Sequence, residues 1–216
     1  MQFGNRRIDL LVLTHTDQDH VGGLPALFER YQVGQALSAG IPDNSATYAA
    51  WQEALERHRV PLTAAQAGQV IRAGGIEIAV LHPPQPRLLG TDRDDNNNSV
   101  VLRLTYGSVS FLLTGDIESV AERYLVAQAA DLGSTVLKVA HHGSATSTTQ
   151  EFLNLAAPSI AIITADRQDT YGHPSPQTLA SLEHRLPPQA ILSTADRGAI
   201  RLRTDGKRLW VNTERS

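Results

Sequence analysis

The feature that most constrains this chain is an apolar run that ends abruptly in a short segment rich in potential metal ligands. Residues 8–13 read as a buried strand, and the six residues that follow Thr14 are His15, Thr16, Asp17, Gln18, Asp19 and His20. Alternate side chains of an extended segment point the same way, so His15 and Asp17 can close on one ion. A turn after Asp17 would direct Asp19 and His20 to a second point. This pattern favours a metal site over an ordinary polar turn.

Further groups of reactive side chains occur where later predicted strands end. They are Asp116 in Thr114-Gly115-Asp116, the pair His141-His142 followed by Gly143-Ser144, and His173 in Tyr171-Gly172-His173-Pro174. Asp116 taken alone would be an N-cap for the next helix, although a carboxylate can also bridge two cations. Sites collect at strand ends in layered α/β proteins, so one compact site is the economical interpretation.

The pair His141-His142 leaves two assignments open. Neighbouring residues of a strand face opposite ways, so we expect only one of them to be a metal ligand. We lean towards His142, with His141 orienting it or contacting substrate. The hydroxyl of Ser144 and the nearby backbone N–H groups either hold a phosphate or simply cap the loop.

In combination and in this order, these motifs resemble the metallo-β-lactamase superfamily. The resemblance is closest to the branch in which the second His of the first motif is an Asp, here Asp17. That branch includes the nuclease domain of ComEC-type competence (DNA-uptake) proteins and the choline-phosphate esterases.

The resemblance implies an α/β fold, a four-layer αββα sandwich, built as a single domain over residues 1–216. The first motif comes so early that the opening strands of the first sheet are expected to be missing. Either the sequence is an N-terminally truncated fragment of a larger membrane protein, or its gene starts late.

The resemblance also implies a set of metal ligands. One ion would take His15, Asp17, Asp116 and His142 (or His141), and the other would take Asp19, His20, Asp116 and His173. Asp19, Asp116 and His142 are predicted to be catalytic. Asn98 stands where most relatives carry a ligating His, and an Asn-Ser pair at that place is typical of the ComEC-like branch. We therefore expect Asn98 to contact substrate, together with Ser144 and Tyr171.

The expected chemistry is hydrolysis of a phosphodiester by two divalent cations, Mn²⁺ or Zn²⁺. Two cations roughly 3.5–4 Å apart can hold a bridging hydroxide as nucleophile. The carboxylate of Asp17 adds hard oxygen donors and moves the metal preference towards Mn²⁺. The resemblance implies DNA as the substrate and no stable small-molecule cofactor. The alternatives are a small-molecule phosphodiesterase of the choline-phosphate esterase type and a non-catalytic remnant domain.

Composition limits the possible partners. The net charge of −3 gives no overall basic field, so nucleic-acid binding requires the metals or a local patch. Basic residues between 197 and 215 form either such a patch or a solvated face that protects edge strands. Aromatic residues make up only 5% of the chain, which does not indicate a base-stacking platform.

No apolar run is long enough to span a membrane and no signal peptide is visible. The resemblance implies a place on the extracytoplasmic side of the membrane, attached to a membrane channel.

Three local patterns predict structure around the site. Residues 24–31 are expected to form a helix, and residues 88–98 an exposed polar loop. Thr148 and Glu151 are expected to form a capping box for the following helix.

Overall fold

Two facing sheets form the centre of the fold. The computed structural model describes residues 6–215. The first sheet is parallel, with β1 at one edge and β2 in the middle, and its strands are β1 (Arg7–Leu13), β2 (Gln32–Ser38) and β3 (Leu62–Ala64). The other edge of β1 has no partner strand within residues 6–215.

The second sheet has seven strands in the order β10-β9-β8-β7-β6-β5-β4. The strands are β4 (Val70–Ala73), β5 (Ile76–His82), β6 (Val101–Tyr106), β7 (Val109–Leu113), β8 (Val136–Lys138), β9 (Ile160–Ile163) and β10 (Ile191–Ser193). Strands β4 to β7 pair antiparallel, whereas β7 to β10 are parallel. The carboxyl ends of β7, β8 and β9 therefore lie at the same edge of the sheet.

Helices cover the outer faces of both sheets. They are α1 (Gln18–Val21), α2 (Pro25–Phe28), α3 (Ala46–His58), α4 (Ser119–Ala127), α5 (Gln150–Ala156), α6 (Pro176–Arg185) and α7 (Thr194–Arg197). The longest of them, α3, begins at Ser45, whose hydroxyl accepts a hydrogen bond from the Tyr48 N–H.

Apolar side chains fill the three interfaces of a four-layer sandwich. Trp51 of α3 packs with Leu13 on the outer face of the first sheet. Leu37 and Val80 belong to a cluster between the two sheets. On the far side, a larger cluster joins the second sheet to α4, α5 and α6. The predicted αββα fold class is confirmed by this layering.

A C-terminal hairpin, β11 (Ile200–Thr204) and β12 (Leu209–Thr213), covers another part of the second sheet. Its residues Leu202 and Val211 pack against Ile162 and Leu192 of the parallel strands. Phe111 of β7 packs in the same cluster, and it is paired across the ladder with Leu104, which belongs to the cluster between the sheets. The hairpin and the first sheet therefore lie on the same face of the second sheet.

The structure differs from the local expectations in three places. The helix expected over residues 24–31 is only the single turn α2, which follows the separate turn α1. The N-cap of α5 is Thr149, not Thr148, because the Thr149 hydroxyl accepts from the Phe152 N–H. The loop at residues 88–98 is not exposed throughout, since its last three residues form a buried 3-10 turn, Asn96–Asn98. Among residues 6–215, none of the helices combines the length and the apolar character that a membrane crossing needs.

Candidate metal centre

The predicted ligands converge at one edge of the sandwich because the strands that precede them end there. His15 follows the end of β1, and Asp116 follows the end of β7. His142 follows β8, which is parallel to β7 and adjacent to it. The turn from β7 to Asp116 requires Gly115, whose φ is +54° and whose added Cβ would lie 2.8 Å from the Ser99 Cβ.

Four of these side chains form one compact group of ligand atoms. Asp19, His20, Asp116 and His142 each offer an atom within 4.8 Å of all the others. The Oδ2 atom of Asp116 lies 3.2 Å from His20 Nε2 and 3.4 Å from His142 Nε2. The Oδ2 atom of Asp19 lies 3.2 Å from His142 Nε2. Two carboxylates and two imidazoles are a donor set suited to a divalent cation such as Mn²⁺ or Zn²⁺.

A second group shares Asp116 with the first. His15 Nε2 lies 3.8 Å from Asp116 Oδ2 and 3.7 Å from Asp17 Oδ2. Asp116 Oδ2 therefore lies within 3.8 Å of the His15 ring nitrogen as well as of those of His20 and His142. A carboxylate in that position can contribute to two cations at once.

Buried polar atoms provide a test of whether cations fit here. His15 Nε2 and Asp116 Oδ1 are both buried, and neither has a hydrogen-bond partner within residues 6–215. Leaving such atoms unpaired costs free energy, so each unpaired atom of a native protein requires an explanation. Coordination of cations would satisfy both atoms, and the residues present therefore fit a metal centre.

The ring nitrogens that face away from the centre are held by neighbouring groups. His142 Nδ1 lies 2.7 Å from the Thr164 carbonyl oxygen. A carbonyl only accepts, so Nδ1 carries the proton and Nε2 of the neutral ring presents its lone pair to the centre. The hydroxyl of Thr14 lies 3.1 Å from His15 Nδ1 and 3.3 Å from His20 Nδ1. Such contacts fix ring orientation in metal sites.

Ion pairing shifts the pKa values of these groups in the absence of metal. Hydrogen bonds to Asp116 and Asp19 raise the pKa of His142 to about 10. Burial lowers the pKa of His20, but contacts with the same two carboxylates outweigh it and carry that pKa to about 9. The nearby imidazole of His15 lowers the pKa of Asp17 to about 2. Cations that bind here at neutral pH would have to displace the imidazole protons.

A buried run of four polar residues, 96–99, holds the site from behind. The Asn97 carboxamide oxygen accepts from the backbone N–H groups of Glu118 and Ala121, at 3.2 Å each. The Ser99 hydroxyl accepts from the Asp116 N–H at 3.2 Å. The segment thus fixes both the shared carboxylate and the start of α4.

Arg93, in the loop before this run, contacts the centre directly. Its guanidinium donates to Asp17 Oδ2 at 2.8 Å and to the Asn96 side-chain oxygen at 2.9 Å. This interaction orients the carboxylate of Asp17 towards His15.

The two consecutive histidines do not lie on a strand. Strand β8 ends at Lys138, and His141 and His142 both adopt left-handed backbone conformations, with φ of 47° and 54°. This conformation costs roughly 1–2 kcal/mol per residue and is found at functional sites. The rule that neighbours face opposite ways therefore does not apply, and both rings line one cleft. His141 Nδ1 lies 3.4 Å from Glu118 Oε1.

The observed grouping of ligands differs from the one expected. His142, not His173, lies with Asp19 and His20. The His173 ring is not part of this group of ligand atoms. Its centroid lies 5.7 Å from that of His141 and 6.5 Å from that of His142.

The three expected substrate contacts lie in different environments. Tyr171 is 84% exposed at the mouth of the cleft and stacks on His173, with ring centroids 6.0 Å apart. Ser144 is buried, and its hydroxyl lies 3.0 Å from that of Thr146. Asn98 is fully buried, and its carboxamide is bonded to backbone groups of Leu88 and Asp94. Asn98 therefore supports the loop and does not line the cleft.

The centre opens into a cleft of about 1320 Å³. Besides the ligands, its walls include three arginines, Arg93, Arg167 and Arg215, together with Tyr171. Its walls also carry Asp166 and Asp169, so the cleft becomes net positive only when divalent cations are bound at the ligands, and it can then accept a large anionic molecule.

Sequence reasoning missed the supporting residues Thr14, Arg93, Glu118 and Thr164. Arg93 was within a loop read as solvent-exposed, and the others carry no motif of their own. The one available signal was position, because Thr14 and Thr164 lie at the ends of predicted strands and Glu118 lies two residues after Asp116.

Comparisons with known proteins identify the family of the chain. The family model described as metallo-beta-lactamase superfamily matches residues 1–165. The chain is 32% identical over 204 residues to ComE operon protein 3 of Bacillus subtilis, covering 93% of this chain and 25% of that protein. It is 35% identical over 173 residues to competence protein ComA of Neisseria gonorrhoeae, covering 80% of this chain and 22% of that protein.

The fold is also similar to a solved structure. The metallo-beta-lactamase fold protein YhfI of Bacillus subtilis has a TM-score of 0.50 at 11% identity, with 86% of this chain and 74% of that chain covered. The chain spans about a quarter of the length of these two bacterial relatives. Its fold, its ligand cluster and the matching family model together show that the chain belongs to the metallo-β-lactamase superfamily.

Proposed function

We propose that this domain is a binuclear metal-dependent phosphodiester hydrolase that acts on DNA. The observation that carries the proposal is the position of Asp116, whose Oδ2 lies within 3.8 Å of ring nitrogens from both ligand groups. His15 and Asp17 would hold one cation, and Asp19, His20 and His142 the other, with Asp116 shared. Bound cations supply an activated water and neutralise charge on a phosphate.

The side chains around the centre have separate roles in the proposed reaction. Asp19, Asp116 and His142 hold the reacting centre, which is the catalytic role expected of them. Arg93 keeps Asp17 oriented, and the His141 ring, beside Glu118 on the cleft wall, can contact the substrate phosphate. Tyr171 lies at the mouth of the cleft and contacts the part of the substrate beyond the scissile bond.

DNA is favoured over a small diester by the size and charge of the cleft. Arg167 and Arg215 line it without a carboxylate partner within residues 6–215, and an extended phosphate backbone offers a partner to each of them. The relation to two competence proteins supports a role in DNA uptake. On that basis we propose that the domain works on the extracytoplasmic side of the membrane, next to a membrane channel in the same or a partner protein. Mn²⁺ is the favoured metal because three of the six proposed ligand residues are carboxylates, which are hard oxygen donors, with Zn²⁺ as the competing choice.

The test is DNA cleavage by metal-stripped protein to which Mn²⁺ or Zn²⁺ is restored. Single-stranded and plasmid DNA serve as substrates, and bis(p-nitrophenyl) phosphate serves as a small diester. We expect cleavage of DNA only with metal, reduced by at least about a hundredfold in Asp116→Asn because the shared ligand is weakened. Asp131→Asn is the matched control, since Asp131 is 75% exposed and pairs with Arg103.

Other outcomes would redirect the assignment. Hydrolysis of the small diester without DNA cleavage would indicate a small-molecule phosphodiesterase. Absence of both activities in protein that binds no metal would indicate a non-catalytic domain.

A further inference from the structure

The C-terminal hairpin presents one face to the core and an opposite face to solvent. Ile200, Leu202, Leu209 and Val211 pack inward against the second sheet. The alternate residues are exposed, with Arg203 directly across from Trp210 and Arg201 across from Asn212. We call these four exposed residues the hairpin face. Trp210 is 46% exposed, which is unusual for so large an aromatic side chain.

The segment that carries this face is basic within an acidic protein. Residues 196–215 contain six of the 19 Lys and Arg residues and three of the 22 Asp and Glu residues, so the segment is net +3 in a chain of net −3. Within residues 6–215, none of these six cationic groups lies within 4 Å of a carboxylate. Their charge is therefore available to a partner.

Two of the three acidic residues of the segment are turned towards the backbone. The Asp205 carboxylate accepts from the N–H groups of Lys207 and Arg208 in the turn of the hairpin. The Glu214 carboxylate accepts from the Ala199 N–H at 3.0 Å. Asp196 lies in the short helix α7 before the hairpin, not on the hairpin face.

The cationic groups continue from the hairpin into the metal-centre cleft. Arg215 and Arg167 both line the cleft, and both guanidinium groups contact the Ala195 carbonyl, at 3.5 Å and 2.6 Å. The Arg215 N–H donates to the Arg197 carbonyl, which joins the end of β12 to the start of the hairpin. Arg215 therefore connects the wall of the cleft to the hairpin that carries the hairpin face.

We propose that the hairpin face is a binding surface for single-stranded nucleic acid, continuous with the metal-centre cleft. This inference rests on the proposed function, since it assigns the path of the substrate outside the site. Arg201 and Arg203 are two residues apart on one strand, about 7 Å, so their guanidinium groups can meet separate phosphates of one backbone. Trp210, directly across the hairpin from Arg203, offers a flat surface on which an unpaired base can stack.

A membrane surface is the competing partner for a patch of Trp and Arg. The face carries a single large apolar side chain, with Asn212 and two arginines as its other members. Insertion into a bilayer requires a broader apolar surface, whereas stacking of one base requires only one ring. The composition of the face therefore favours nucleic acid.

The test is the binding of a short phosphorothioate oligonucleotide to Mn²⁺-loaded protein over a range of salt concentrations. In Arg201→Gln/Arg203→Gln we expect the slope of log affinity against log salt to become shallower by about 1.4, because each lost contact with a single strand contributes about 0.7. Arg123→Gln/Arg185→Gln, with the same charge change on the exposed faces of α4 and α6, is the matched control and should keep the wild-type slope.

Trp210 provides an independent readout. Trp210→Ala should weaken binding by about fivefold or more with little change in the salt slope, and Trp210→Phe should restore most of the affinity. Equal slopes in the hairpin variant and the control would overturn the proposal. So would a loss of binding to anionic vesicles without a loss of oligonucleotide binding. Binding is measured without cleavage, so a protein that binds DNA but does not cut it would refute the proposed function and leave the hairpin result intact.

Discussion

At the scale of single residues, the metal centre depends on side chains that do not belong to it. Thr14 contacts two of the histidines, and Thr164 fixes the proton position on His142. The ligands themselves could be predicted because His and Asp recur at short spacing after strands. Their supporting partners could not, because a Thr or an Arg is common in loops and acquires its role only from its neighbours in space.

Replacement of Arg93 tests the orientation of Asp17. In Arg93→Gln the guanidinium that donates to Asp17 is lost, and we expect the affinity for the more weakly held Mn²⁺ ion to fall about tenfold to a hundredfold. Calorimetric titration of metal-stripped protein measures this. Arg72→Gln removes an equivalent ion pair, to Glu77, on the exposed β4–β5 hairpin and should leave metal affinity unchanged. Equal affinities in both variants would show that Arg93 does not position Asp17.

The Thr14 hydroxyl can be removed with little change in shape. Thr14→Val should reduce metal affinity by about tenfold, since His15 and His20 both lose the partner of their outer ring nitrogens. Thr14→Ser keeps the hydroxyl and should retain most of the wild-type affinity. The prediction fails if the Ser and Val variants bind Mn²⁺ equally well.

At the scale of elements, strands were easier to predict than the turns that carry the chemistry. The apolar run over residues 8–13 located β1, and the ends of the predicted strands located the site. The pair His141-His142 was expected at the end of a strand, but it lies in a 3-10 turn, Ala140–Gly143, in which both histidines are left-handed. Local sequence does not encode that conformation, because the surrounding packing imposes it.

The N-terminus of α5 is held by a neighbouring helix as well as by its own cap. Glu122 of α4 is fully buried, and its carboxylate accepts from the N–H groups of Thr148 and Thr149. Glu122→Ala should lower the free energy of unfolding by roughly 2–4 kcal/mol, because two buried donors lose a charged partner. Urea denaturation measures the change.

Glu151 is the matched control for that experiment. It lies in the first turn of α5 and was expected to complete a capping box with Thr148. The N-cap of α5 is instead Thr149. Glu151→Ala should therefore change the free energy of unfolding by no more than about 0.5 kcal/mol. A larger effect than that of Glu122→Ala would contradict the observed cap.

At the scale of the whole molecule, the layer order was predicted from the family resemblance. The placement of the hairpin on the inner face of the second sheet could not be predicted, because alternating strands specify which face is buried but not what covers it. The metal-centre ligands were predicted as residues, whereas their division between two groups depended on the path of the chain around His141 and His142.

The stability of the fold should depend on pH through His82. This residue is fully buried, and burial lowers the pKa of its imidazole to about 4. As the pH falls, the unfolded chain binds a proton at His82 before the folded chain does. The stabilisation that comes from burying neutral His82 is therefore complete above pH 6.5 and is lost as the pH falls from 6.5 through about 4. Wild type should lose roughly 3 kcal/mol more than His82→Asn over this range. Parallel slopes of unfolding free energy against pH would refute the assignment.

The number of metal ions bound per chain tests the central claim most directly. Metal-stripped protein is reloaded with Mn²⁺, freed of excess ion, and analysed by elemental mass spectrometry beside Asp116→Asn and the Asp131→Asn control. If Asp116 is shared between two groups of ligands, wild type and control will hold two ions per chain and Asp116→Asn will hold fewer. One ion or none in wild type, or two ions in Asp116→Asn, would contradict a centre built around a shared carboxylate.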